Sequence, residues 1–167
     1  VGSLQDRLRD RALPTQVVSL PLDPLAHAYR ERELAEAQWL LETARDRGAT
    51  DVGALRARVA QARAALTALD TVPVTLRALP AADWEALLEL HPATEEQREA
   101  GAQWGPGFRL ALLAVSVVPD DGDSPTTEAE WEAMTKDGSV GAGEFNALFT
   151  AAVGLNLRSP DSRVGKG

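Results

Sequence analysis

A chain of 167 residues with a net charge of −8 and a hydrophobic fraction of 44% has enough apolar side chain for one packed domain, or for one domain with a projecting element, which argues against global disorder. It has no cysteine, which excludes disulfides and thiolate metal sites, and aromatics reach only 5%, so a core must come mostly from Leu, Ala and Val. Residues 110–118 are too short an apolar run to span a bilayer, and the opening VGSLQDRLRDR lacks the apolar run of a signal peptide; a cytoplasmic protein with no membrane partner is expected.

Residues 1–14 place Leu4, Leu8 and Leu13 among alternating Arg and Asp and read as a flexible N-terminal segment, either a frayed helix or a disordered tail. Residues 15–22 (TQVVSLPL) form a β-like run in which Pro21 marks an edge or a strand end. Asp23-Pro24 then reads as an N-cap with Pro at the first helical position. Residues 25–47 hold strong helix formers with no internal Gly or Pro, up to a stop at Gly48. A second helix covers 51–69, where Val52, Leu55, Val59, Ala62, Leu66 and Leu69 recur at alternating steps of three and four, the seam of a coiled coil. The loop at 48–50 is so short that the two helices must run antiparallel. Residues 72–79 (VPVTLRAL) are a second β-like run. A helical hairpin returns the chain to its start, so strand 16–20 should pair antiparallel with strand 74–78. The first half is then a β-hairpin whose turn is replaced by a two-helix arm. An isolated ribbon is marginal in water, so its apolar face must rest on the second half or on another subunit.

The second half is a string of helices. Residues 80–90 open with Pro and put Trp84, Leu87 and Leu88, with His91 beyond them, on one stripe. Residues 93–103 start at Thr94, with Gln97 at capping-box distance and Glu95 and Glu96 placed against the helix dipole. Gly105-Pro106-Gly107 is a breaker, and 108–118, almost uniformly apolar after Arg109, should be the buried central helix. Residues 119–125 (PDDGDSP) are a loop, Thr126 or Thr127 caps a helix over 128–134, and 136–139 is a turn. Residues 140–157 form the last helix, and 158–167 a disordered tail. The fold class expected is α+β and predominantly α-helical: a small antiparallel β-hairpin with an inserted coiled-coil-like arm, followed by a bundle of short helices. Its segments are 1–14, the strand–helical hairpin–strand unit 15–79, an acidic helical module 80–157 packed on it, and the tail.

The charge is unevenly placed. Residues 1–79 carry eleven Arg against ten acids, whereas 80–157 carry three basic residues against fourteen acids, a net of −11. Such a surface repels phosphate backbones, so no nucleic-acid partner is expected, although it suits a basic protein partner or simple solubility.

Candidate chemistry is sparse. Asp137-Gly138-Ser139-Val140 followed by Glu144-Phe145 matches part of an EF-hand loop, but Ala133 and Thr135 stand where the first two oxygen ligands are needed, so calcium is not expected. Asp120, Asp121 and Asp123 precede Pro125 without the required Gly and read as a solvated loop. His27 and His91 have no zinc or triad spacing; His91, before Pro92, reads as a helix end. Gly138, Gly141 and Gly143 follow no strand and cradle no phosphate. No catalytic, cofactor or metal site is expected, and the chain is read as a non-enzyme. Trp84, Trp104 and Trp131 stand where short helices need large anchors, or alternatively line a binding groove. If they bind, the surface is the exposed part of the stripe Trp84, Leu88, Trp104, Phe108 and Trp131. Trp39, midway along the arm, is hard to bury within two helices and is expected to face the body of the domain or a second subunit, which makes self-association through the arm an expectation.

The run from strand through helical hairpin to LRALPAADWEALLELHPATEEQRE, then W-x-P-x-F with an apolar helix, TEAEWEAM and EFNALFTAAVGLN resembles the tail assembly chaperones of actinobacterial siphophages and prophages. The resemblance covers roughly 17–157. R-x-L-P-x-x-x-W and H-P-x-x-x-x-x-R are distinctive together, while Gly-Pro-Gly at 105–107 and the longer acidic loop at 119–125 depart from the pattern. The resemblance implies a non-enzymatic role in the bacterial host cytoplasm. Such a protein binds the tape-measure protein, keeps it soluble and recruits tail-tube subunits during virion assembly. It also implies a longer frameshifted form, with which the closing Val164-Gly165-Lys166-Gly167 is compatible. The alternative is a structural virion component such as a head–tail connector or minor tail protein. A host regulatory adaptor fits the acidic second half less well.

Overall fold

The computed structural model describes residues 3, 5, 11–120 and 125–157; most of the N-terminal segment, Asp121 and Asp123, and the 158–167 tail lie outside the described residues. In chain order the elements are β1 (Thr15–Pro21), α1 (Pro24–Asp46), α2 (Gly53–Thr67), β2 (Thr71–Arg77), α3 (Ala81–Leu90), α4 (Glu95–Glu99), α5 (Phe108–Ser116), α6 (Glu128–Asp137) and α7 (Ala142–Leu157). The protein is α+β and predominantly helical, with β1 and β2 as a two-stranded antiparallel sheet.

The ribbon register follows from its ends. Leu22 N–H donates to Asp70 O at 3.0 Å and Ala78 N–H to Pro14 O at 2.9 Å, so Val18 lies opposite Val74 and Leu20 opposite Val72. Pro21 and Pro73 then fall at the non-hydrogen-bonded positions, where a missing N–H removes nothing from the ladder. The chain divides into two compact units inside this ribbon rather than at residue 79: an arm, Ser19–Pro73, and a body, Val1–Val18 with Val74–Gly167.

In the arm, α1 and α2 pack on each other. Asp23 accepts from Ala26 N–H at 2.9 Å as the N-cap of α1, and Pro24 takes the first helical position. Gly48, at φ +74°, turns the chain in a left-handed conformation that a side chain would strain. The expected seam is present: Val52 is buried, and Leu55, Val59, Ala62, Leu66 and Leu69 are half-buried, while every other residue of α2 except Ala65 is exposed. Two helices can bury only one stripe each, so the arm fully buries just Ala37, Leu41 and Val52.

In the body, α5 is central and packs on α3, α6 and α7. Phe108, Ala111, Leu112, Leu113 and Ser116 are buried along it. Several boundaries differ from the sequence expectation. The helix expected over 108–118 stops at Ser116, because Val117 turns extended (ψ 125°) and bridges Leu76 while Val118 N–H donates to Thr75 O at 2.9 Å. Two β-branched residues ahead of Pro119 favour that exit, and it covers the outer edge of β2 at Thr75. The helix expected over 93–103 shrinks to α4, since Gly101 adopts φ +86° and ends it. Helix α6 runs one turn past 134 to Gly138 at φ +85°, and α7 starts at Ala142 rather than 140. The segment after β2 is latched to α7: Leu79 N–H donates to Asn156 Oδ1 at 2.8 Å, and Asn156 Nδ2 donates to Ala152 O at 2.8 Å.

Candidate protein-binding site

The site is built on an aromatic hub in the body. Helix α3 carries Leu87 buried with Trp84 and Leu88 half-buried beside it, the stripe its spacing predicts. It ends at His91, whose N–H donates to Leu88 O at 3.3 Å. Thr94 and Gln97 form the capping box of α4: Gln97 N–H donates to Thr94 Oγ1 at 3.2 Å and Thr94 N–H to Gln97 Oε1 at 2.9 Å. Chain reversal at Gly101 brings Trp104 and the Gly-Pro-Gly run back beside His91.

That return is a clasp between two sequence motifs. Gly105 N–H donates to His91 O at 2.9 Å, and a Cβ at Gly105 would collide with the Pro92 carbonyl. Nδ1 of His91 lies 3.2 Å from Pro106 O, and since a carbonyl only accepts, the contact is a hydrogen bond in the tautomer with its proton on Nδ1. Gly107, at φ +81°, packs against the same ring and opens α5. The His-Pro and Gly-Pro-Gly motifs are therefore a structural fastening.

Phe108, fully buried, is the centre that the clasp positions. Trp104 stacks on it at 4.9 Å and 14°, while Trp84 (5.8 Å, 75°), His91 (6.2 Å, 69°) and Phe149 (6.2 Å, 90°) meet it edge-on. Trp104 also meets Phe149 edge-on at 5.6 Å. Such pairs contribute about 0.5–1.5 kcal/mol each beyond burial. Arg109 lies over Phe145 (4.9 Å) and Phe149 (4.8 Å) and donates to Asn146 Oδ1 at 3.2 Å. Its exposed guanidinium is thereby held beside the hub.

The five residues expected to bind divide accordingly. Trp84, Leu88 and Trp104 keep part of their surface in solvent, whereas Phe108 is interior and Trp131, 2% exposed on α6, is a core anchor. Phe108 and Trp131 fill the space between α5 and its neighbours, so they present no surface to a partner. Sequence reasoning missed Arg109, Phe145 and Phe149 as neighbours of the hub. Only the i, i+4 spacing of the two Phe residues hinted at them.

The carboxylates of the EF-hand-like stretch are engaged locally, Asp137 in the turn that ends α6 and Glu144 at the start of α7. The Ser139 hydroxyl and Ser139 N–H both donate to Asp137, holding its carboxyl below the usual range, and Gly141 N–H donates to Glu144 Oε2 at 2.8 Å. Among the described residues no group of three or more His, Cys, Asp or Glu side chains is placed to hold a metal ion. No described helix is long and apolar enough to cross a membrane.

No protein-family model matches the chain. No curated protein and no solved structure matches it either. What remains at the site is physical: two half-exposed indoles in contact with a buried ring, a half-buried Leu88 one turn along α3 from Trp84, and an exposed Arg109 over two further rings. Helices α3 and α4 also carry the exposed acids Asp83, Glu85, Glu89, Glu95, Glu96 and Glu99.

Proposed function

We propose that this chain is a phage tail assembly chaperone that holds the tape-measure protein through Trp84, Leu88 and Trp104, keeps it soluble and helps gather tail-tube subunits around it in the host cytoplasm. The supporting observation is the half-exposed indole pair set on fully buried Phe108. Indoles lose little side-chain entropy on binding and are enriched where binding energy concentrates. Here the hub restrains them beforehand, which lowers the ordering cost further. A long helical client offers apolar residues at i, i+3, i+4 and i+7, which suit a small apolar patch of this kind. The net charge of −11 over residues 80–157 discourages bodies of neighbouring copies from meeting. The naming of the client comes from the resemblance of LRALPAADWEALLELHPATEEQRE and the segments after it to such chaperones.

The test is co-expression with the long helical tail protein encoded beside it, followed by pull-down and a solubility assay. A client that is soluble only with this chain, and co-elutes with it, supports the chaperone reading. Stable assembly with head or tail subunits, retained in purified particles and indifferent to the client, moves the protein to the connector or minor tail class.

A further inference from the structure

Helix α1 carries two stripes. One faces α2. The other comprises Leu25, Tyr29, Arg32, Glu36, Trp39 and Thr43, at steps of four, three, four, three and four, a second coiled-coil seam on the same helix. Most of it stands in water: Leu25 is 84% exposed, Tyr29 59% and Trp39 61%, with Arg32 and Glu36 exposed between them and only Thr43, at its end, half-buried. The stripe is about 27 Å long, and its three large side chains leave on the order of 400 Å² of surface in water, as large as the main apolar patch of a typical monomer.

The order of residues along the stripe selects its occupant. Packed antiparallel on itself about a two-fold axis midway between Arg32 and Glu36, the stripe puts Tyr29 opposite Trp39, Arg32 opposite Glu36 and Leu25 opposite Thr43, each pair occurring twice. Each layer then joins the two alternating seam positions, the arrangement an antiparallel coiled coil requires. A parallel pairing would set Arg32 on Arg32 and Glu36 on Glu36, and so is disfavoured. Among the described residues Arg32 makes no ion pair, and Glu36 meets only exposed Arg58 of α2 through Oε1 at 3.0 Å, so Oε2 is available to a second guanidinium. The arm is also nearly neutral, seven Arg against eight acids over residues 19–73, whereas the body repels its own kind. Both copies together would bury roughly 1,200 Å² once the Arg32 and Glu36 stems are included, the low end for a specific interface.

We infer that a second copy of this chain occupies the stripe, α1 against antiparallel α1, giving a two-fold dimer joined through the arms. This does not depend on the client surface proposed for the body. Sedimentation velocity on the full chain up to about 100 μM tests it, with circular dichroism as the folding control. We expect a concentration-dependent dimer that Trp39→Glu weakens by at least about tenfold. Arg32→Glu alone should weaken it, because two like-charge pairs are created, and Arg32→Glu combined with Glu36→Arg should restore it. A wild-type chain that stays monomeric overturns the inference. So does a dimer indifferent to Trp39→Glu, or one that the double reversal fails to rescue.

Discussion

In the arm, two helices meet along one seam and only Ala37, Leu41 and Val52 become buried; in the body, α5 alone buries five residues because α3, α6 and α7 all pack on it. Both regions draw on Leu, Ala and Val, so composition does not separate them. The number of layers does. A helix with a single neighbour leaves most of its circumference in water, and the arm exposes Leu25, Tyr29 and Trp39 for that reason. A helix enclosed by three neighbours can fix the rotamers of large rings, and the body turns those rings into a preset surface at Trp84 and Trp104. The two proposals follow this division: a second copy on the arm, and a client on the body.

The sharpest way to break this comparison is to empty each core. Phe108→Ala removes the ring on which Trp84, His91, Trp104 and Phe149 converge and should cost about 3–5 kcal/mol in urea denaturation. Leu66→Ala on the half-buried arm seam should cost under about half of that. Equal losses would mean that the two regions do not differ as described. Next in size is Gly105→Ala, whose new methyl meets the Pro92 carbonyl; overpacking of this kind costs about 1–3 kcal/mol, and the indole near-UV signal should change with it. Thr127→Ala deletes the cap of α6, whose hydroxyl accepts from Glu130 N–H at 3.2 Å, at about 1 kcal/mol in the same assay. Arg58→Ala breaks an exposed arm ion pair and should shift stability by less than about 0.5 kcal/mol.

The body should also respond to acid in a defined direction. Thr126 N–H, the Thr127 hydroxyl and Thr127 N–H donate to Glu130 and hold its carboxyl below the usual range. A folded pKa below the unfolded one gives stabilisation that is present above the ordinary carboxylate range and lost as pH falls through the folded value. Asp137, which accepts from the Ser139 hydroxyl and N–H, acts in the same sense. Urea midpoints should stay level from pH 7 to roughly 5.5 and drop below about 4.5, and Glu130→Gln should flatten part of that drop. A midpoint that rises on acidification would contradict the assignment.

The arm was the more legible region because its information is local. The alternating three and four steps from Val52 to Leu69 state which face of α2 is buried, and Gly48 states where α1 ends. The Thr94–Gln97 box was equally plain, being four residues long. The body hides its determinants in pairs distant along the chain. His91 fastens Pro106 fifteen residues on, and Arg109 reaches Asn146 thirty-seven residues on, and neither contact has a spacing rule. Val117 reads as helix until Leu76 offers it a bridge, and Phe108 and Trp131 look like candidates for a binding stripe until α5 is seen to be enclosed. The proposed client patch is thus recognisable as a set of large side chains, while its division into surface and core depends on packing.

The most direct measurement is a client pull-down that compares Trp104→Ala with Trp39→Glu, each checked for folding by circular dichroism. We expect Trp104→Ala to weaken retention of the tape-measure protein by about tenfold or more and Trp39→Glu to leave it unchanged. Retention that survives Trp104→Ala in a folded body, or that is lost with Trp39→Glu, would place the client on the arm and contradict the division of roles drawn here.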